Sequence, residues 1–375
     1  MVKKWGQVRF WGTKIEPGPI SMIFVRDSAM PTLYNFLHKE RLLQFPVAGK
    51  EEQTMKGFFA VAAGVIFSCS AAVVYAQQDY PNRPITIVVG WTAGGGADSM
   101  TRLLARAATK ELGQPIVVQN KPGGASQLAF TAVVGSAPDG YTLGLGSSSF
   151  FLIAPNLRKL PYDPIRDSTQ IVGFYSTHYG VVVPADARGK NWGEFRDYAK
   201  QNPGKLSYGT AGIGTMQHLV FERIAQKEGI KWVHVPFKGA NETVTSLLGG
   251  HIDAAIQGPT DVGAFIQAGK LRMLLVLNDK RWEMAPDVPH ILEVGYDFSS
   301  FNVGSIWAPK GLPESIRSKL ETAMTAAIKS PEFIEGAKKL RQPWVLVGGK
   351  EYTKMLQDRF DGYRQTVKDL DLQEH

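Results

Sequence analysis

Residues 87–102 read IVVGWTAGGGADSMTR. A β-branched run passes into a cluster of glycines. Met100, Leu103, Leu104, Ala107 and Ala108 then recur at helical spacing. Such a run suits a buried parallel strand, and glycines let backbone approach a bound group closely. The first N–H groups of a helix lack internal partners and sum to a positive partial charge. Strand, Gly-rich turn and helix thus form one repeat of an α/β fold and a seat for an anion. Asp98 is the expected N-cap of that helix.

The turn is not a nucleotide loop. A dinucleotide fingerprint needs a third glycine where Ser99 stands. Gly90 and Gly95 have P-loop spacing, but Gly96 and Ala97 replace the required Lys and Ser/Thr. No cofactor is implied.

The alternation continues outward. Strands are predicted at 116–118 and 141–146, with a helix at 125–134 between them. Further strands fall at 180–183, 206–208, 232–235, 252–256 and 273–277, separated by helices at 191–201, 215–228, 242–248 and 262–268. A strand at 303–308 and helices at 313–329 and 351–367 close the chain. The pattern predicts two α/β units with mostly parallel sheets. If the C-terminal helices return to the first unit, lobe 1 is 79–178 plus 301–375 and lobe 2 is 181–300. Two chain crossings, near 175–185 and 298–308, would then form a hinge beside a cleft.

Three more small-residue turns sit at strand ends: 120–126 (NKPGGAS), 146–149 (GSSS) and 209–215 (GTAGIGT). Open α/β sheets bind ligands outside these ends. Lys121 is the only cation among the turns. Amide and hydroxyl donors without strong cations suit a small carboxylate better than a polyphosphate.

Charge and composition narrow the class. The formal net charge is +8, but no block of Lys and Arg interleaves with aromatics, so nucleic acid is not a predicted partner. Residues 55–76, MKGFFAVAAGVIFSCSAAVVYA, have one Lys, an apolar run and Val74 and Ala76 at the small-residue cleavage positions. They read as a signal peptide starting at Met55, with 1–54 an over-extended leader and the mature chain periplasmic. A single membrane anchor and a lipid anchor at Cys69 are the weaker alternatives. Without 1–76, which hold nine Lys/Arg and five Asp/Glu, the net charge falls to +4 and no Cys remains. Thiol nucleophiles and thiolate metal sites are thereby excluded.

Catalytic signatures are missing. There is no G-x-S-x-G elbow, and no two of the seven His stand four residues apart as a metal pair would. No metal site is predicted. His218 and His234 flank the 209–215 turn and read as packing or hydrogen-bonding residues. Ser147 and Ser148 read as ligand or turn donors. A periplasmic hydrolase of carboxylated substrates is the alternative, and it needs a base against one of them. A scaffold protein is a third reading.

From Tyr80 onward the chain resembles the Bug-type receptors of tripartite tricarboxylate transporters. The phrases that carry the likeness are colinear: YPNRPI at 80–85, GGGAD at 94–98 with Arg102, NKPGG at 120–124, APDGYTL at 137–143, LPYDP at 160–164, GIGT at 212–215 with His218 and Leu219, HVPFKG at 234–239, and PDVP at 286–289. The resemblance implies a type II periplasmic binding protein, with two α/β lobes, a two-strand hinge, a ligand cleft and no catalysis. It implies a solute receptor for a small organic acid, a monomer that serves membrane permease subunits or a sensor kinase.

Carried over, the first loop contributes Trp91, Thr92, Ala93, Gly94, Gly95 and Ala97, with Asp98 shaping it. The second contributes Gly124, Ala125 and Ser126. The two loops act as tongs on a carboxylate. Thr210, Ala211, Gly214, Thr215 and Gln257 meet the ligand's other end, and Ser147 and Ser148 complete the expected set. The chain departs from the family pattern at Gly90-Trp91-Thr92-Ala93, at Lys121, at Ala125-Ser126 and at Gln257. Those departures bear on the ligand rather than the fold.

Overall fold

The computed structural model describes residues 80–373. The leader, the Met55 start, the signal peptide and Cys69 lie outside the described residues.

The quoted stretch folds as strand β1 (Ile85–Val89), a glycine loop and helix α1 (Gly96–Leu112). Strands β2 (Ile116–Asn120) and β3 (Thr142–Ser147) flank helix α2 (Gln127–Val134), and both pair parallel to β1. Short helices α3 (Ser148–Leu152) and α4 (Ala154–Leu157) lead to β4 (Ser168–Ser176).

The second sheet follows. It alternates β5 (Gly180–Pro184), α5 (Trp192–Gln201), β6 (Ser207–Thr210), α6 (Met216–Glu228), β7 (Val233–Pro236), α7 (Ala240–Leu248), β8 (Ala254–Gln257), α8 (Pro259–Gln267) and β9 (Leu271–Val276). The chain then returns to the first sheet through β10 (Val303–Pro309), α9 (Glu314–Lys329), α10 (Pro331–Lys339), β11 (Trp344–Gly348) and α11 (Gly349–Asp369).

The first sheet has the order β11-β4-β10-β3-β1-β2, the second β7-β6-β8-β5-β9. β10 runs antiparallel between β3 and β4, so the returning chain is built into the middle of the first sheet, and both sheets are mixed rather than mostly parallel as expected. A core of Ile85, Ile87, Leu104, Leu143, Ile306 and Phe333 buries one face of that sheet. Phe130, Phe151, Trp307 and Tyr352 bury the other. Covering both faces explains why its strands read as apolar runs.

Strands β4 and β11 and helix α10 have no counterpart in the sequence reading. Gln170 and Gly173 interrupt the apolar run of β4. Both are accepted because the strand is central: the Gln170 side chain accepts from Ser305 Oγ at 2.9 Å. β11 lies at the sheet edge and exposes Trp344 and Leu346.

The two crossings are tied together. Thr177 N–H donates to Asn302 O at 2.8 Å, and Asn302 Nδ2 donates to Tyr179 Oη at 2.8 Å. Tyr179 N–H donates to Asn278 Oδ1 at 2.7 Å. Helix α11 touches both cores: Tyr352 and Leu356 pack beneath the first sheet, Val367 beneath the second.

Candidate functional site

Between the sheets lies a cavity of about 60 Å³. Its walls come from the first loop (Trp91, Thr92, Gly95, Gly96, Ala97), from Ser147, from the crossings (Tyr175, Thr177, Tyr179, Asn302) and from Gln342. The second lobe supplies Ala211, Thr215, Gln217, Ala240, Gln257 and Asp261. No Lys, Arg or His lines it, and Asp261 is its one carboxylate.

The lobes touch across this cavity. Gly96 N–H donates to Asp261 Oδ1 at 3.0 Å, and Asn241 Nδ2 donates to Ala93 O at 2.8 Å. Thr260 Oγ1 lies 2.8 Å from both Leu340 O and Gln342 Oε1. A methyl group at Gly239 would collide with Thr92 Oγ1, so that glycine admits the opposite loop. The arrangement is a closed cleft.

Asp98 is not the N-cap of α1. Gly95 is, in extended conformation and without a side-chain hydrogen bond. Asp98 sits in the first turn and reaches back, accepting from Gly94 N–H at 2.9 Å. It also accepts from Arg102 Nε and Asn120 Nδ2, both at 2.9 Å. Burial alone would push its carboxyl up, but these donors outweigh burial and hold it below the ordinary range. It is 2% exposed and stands behind the cavity wall.

The second loop is strained. Ala125 and Ser126 have φ of 50° and 83°, a left-handed pair without glycine. Ser126 packs where a Cβ on Gly90 would lie, so the first two loops interlock at that glycine. Ala125 faces Gly212 of the second lobe: a Cβ there would sit 3.6 Å from the Ala125 methyl.

The 209–215 turn is held from behind. Thr210 Oγ1 pairs with His234 Nε2 at 2.7 Å, and Gly214 N–H donates to His218 Nδ1 at 3.3 Å. Ala211 N–H donates to Gln217 Oε1 at 2.8 Å, and Thr215 caps α6. The two imidazoles stack with ring centroids 4.2 Å apart. Burial pushes His218 down to about 4 and, with His218 adding to it, His234 down to about 3. Both are neutral at pH 7.

Of the expected site residues, Trp91, Thr92, Gly95, Ala97, Ser147, Ala211, Thr215 and Gln257 line one cavity. Ala93, Gly94, Asp98, Gly124, Ala125, Ser126, Ser148, Thr210 and Gly214 stand outside that lining. Tyr175, Thr177, Tyr179, Asn302, Gln217, Asp261 and Gln342 were not anticipated. The crossing residues were legible as a hinge but not as a cavity floor. Asp261 follows the end of β8 by a few residues, so the strand-end rule that selected Gln257 also reaches it.

The serines have no base. Ser147 Oγ pairs with Ser149 Oγ at 2.8 Å, and Ser148 Oγ pairs with Tyr352 Oη at 3.1 Å. Among the described residues no group of three or more His, Cys, Asp and Glu side chains is placed to hold a metal ion. Nor, among the described residues, is any helix long and apolar enough to cross a membrane.

Comparison with known proteins agrees with this geometry. Residues 100–372 match the tripartite tricarboxylate transporter family receptor. A UPF0065 protein of Cupriavidus necator is 35% identical over 312 residues, 83% of this chain and 95% of that protein. The periplasmic binding protein BugD superposes with a TM-score of 0.75 at 29% identity, over 79% of this chain and all of BugD. MatC of Rhodopseudomonas palustris, solved with bound malate, gives 0.72 at 25% identity, over 77% of this chain and all of MatC. The chain belongs to the receptors of the tripartite tricarboxylate transporter family, two-lobed periplasmic solute-binding proteins rather than enzymes.

Proposed function

We propose that the chain is exported by cleavage after Ala76 and captures a small carboxylate in the periplasm as a monomer. The ligand lies in the cleft bounded by Trp91, Thr92, Ala97, Thr215 and Gln257, and the closed form is presented to membrane permease subunits. Lobe 1 comprises 79–178 and 301–375, lobe 2 comprises 181–300, and they hinge at the paired crossings.

One observation carries this reading. The Gln257 side chain is fully buried against the cavity, yet neither its Nε2 nor its Oε1 has a partner. A buried, unpaired amide is costly unless something outside the chain completes it. The malate bound by MatC supports a carboxylate as that something.

Calorimetric titration with a panel of small carboxylates tests the ligand class. At least one panel member should bind with a Kd of about 10 μM or tighter, and none above background would refute the reading. Mass spectrometry of the secreted protein tests export, with the expected N-terminus at Gln77. Cross-linking to permease subunits, stronger with ligand than without, tests delivery.

A further inference from the structure

We infer that the cleft is built for a small amino acid rather than a dicarboxylate, with Asp261 facing the ligand's ammonium and Gln257 bridging ammonium and carboxylate. This rests on the carboxylate-receptor reading above and specifies the ligand's second group.

The first observation is the charge inventory. Asp261 is the only carboxylate on the cavity wall, and no cationic side chain stands beside it there. Its hydrogen-bond donor is the backbone N–H of Gly96 across the cleft, and the Gly258 backbone at the start of its own helix also favours its ionised form. An ionised carboxylate offers about four acceptor sites, so capacity remains. The other ionisable groups on the wall are the Tyr175 and Tyr179 phenols. Burial, first among the causes, pushes both phenols well above their ordinary range, so they stay neutral and add no charge to the wall.

A second ligand carboxylate in so small a cavity would meet Asp261 as a like charge with no cationic side chain to offset it. An ammonium there would supply the missing countercharge. Burial raises the Asp261 carboxyl to about 6, which still leaves it mainly ionised at neutral pH.

The second observation is independent of charge. Gln257 presents a free amide donor group and a free carbonyl acceptor, both fully buried. Its Nε2 can donate to a carboxylate oxygen, and its Oε1 can accept from an ammonium. An α-amino acid head group carries that acceptor and that donor on one carbon. A plain carboxylate is acceptor only and would leave Oε1 unpaired.

The test is calorimetric titration of the full chain at pH 7.5 with glycine, L-alanine and L-serine, against malate, succinate and lactate. At least one amino acid should bind at least tenfold more tightly than every amino-free acid. Asp261→Asn and Asp261→Ser should each weaken that amino acid at least tenfold relative to malate; the second variant guards against a folding defect in the first. Lactate or malate binding as tightly as the best amino acid would overturn the inference. So would an unchanged preference in both folded Asp261 variants. If only amino-free acids bind, the carboxylate-receptor reading survives and this inference fails. If no acid of either kind binds, both fail.

Discussion

Asp261 Oδ1 accepts the N–H of Gly96 at 3.0 Å, joining the first turn of α8 to the first turn of α1 across the cleft. A carboxylate on a helix N-terminus is favoured by the helix dipole as well as by the hydrogen bond. Here one lobe supplies the anion and the other the helix. The contact therefore favours the closed state over the open one.

Asp261→Ala should open the free protein. Losing a charge-assisted hydrogen bond of about 1–2 kcal/mol corresponds to roughly a tenfold shift toward the open form. Small-angle scattering of the ligand-free variant should show a larger radius of gyration than the parent. An unchanged radius would mean that other contacts hold the cleft shut.

Gln257→Leu should move stability and binding in opposite directions. Removing an unpaired buried amide stabilises the free protein by about 1–3 kcal/mol, which raises Tm by a few degrees. The same change removes the ligand's donor and acceptor, so ligand-induced stabilisation should vanish. Differential scanning calorimetry with and without ligand reads both.

Gly239→Ala should uncouple folding from closure. Gly239 has φ 176° and ψ 177°, extended backbone that any residue adopts. The three atoms nearest the added methyl all belong to Thr92 of the opposite lobe. Gly239 is buried, but the atoms nearest its added methyl belong to the opposite lobe, so Tm without ligand should stay within about 2 °C of the parent while ligand affinity falls at least tenfold. The double variant Gly239→Ala with Thr92→Gly should recover most of that affinity.

The stacked imidazoles should make the second lobe acid-sensitive. His218 and His234 titrate near 6.5 when unfolded but at about 4 and about 3 in the fold. Depressed pKa values mean that the unfolded chain binds protons first as pH falls. The stabilisation is fully present above about pH 6.5 and is lost as pH falls from there to about 4 for His218 and about 3 for His234, on the order of 1 kcal/mol per pH unit per ring. Tm should fall as the pH is lowered through this window, and His234→Gln should flatten that dependence. A parallel slope in the variant would place the acid sensitivity elsewhere.

Much of the fold was legible because its signals are local. IVVG followed by glycines and a 3.6-residue apolar period names a strand, a turn and a helix, since each depends on neighbours a few residues apart. Strand β4 escaped because its fitness depends on distant partners. Gln170 and Gly173 look polar or flexible in sequence, and only β10 and β11 beside them make that stretch a strand. Asp98 was misplaced by three residues for a related reason. A Gly-rich loop allows several helix starts, and the Arg102 and Asn120 side chains select the one that uses Asp98 from inside the first turn.

By itself, then, the sequence determined the alternation of strands and helices, the anion-friendly turns at the strand ends and the family likeness. These follow from periodicity, from the backbone freedom of glycine and from colinear phrases. Which side chains share a cavity was decided only in three dimensions. Ala125 and Ser126 support the loops from outside it, while Tyr179, Asn302 and Asp261 come from segments far apart in the chain. Lobe contacts set that membership, because groups 165 residues apart meet only when the Gly96 N–H and the Asp261 carboxylate are brought within hydrogen-bonding distance.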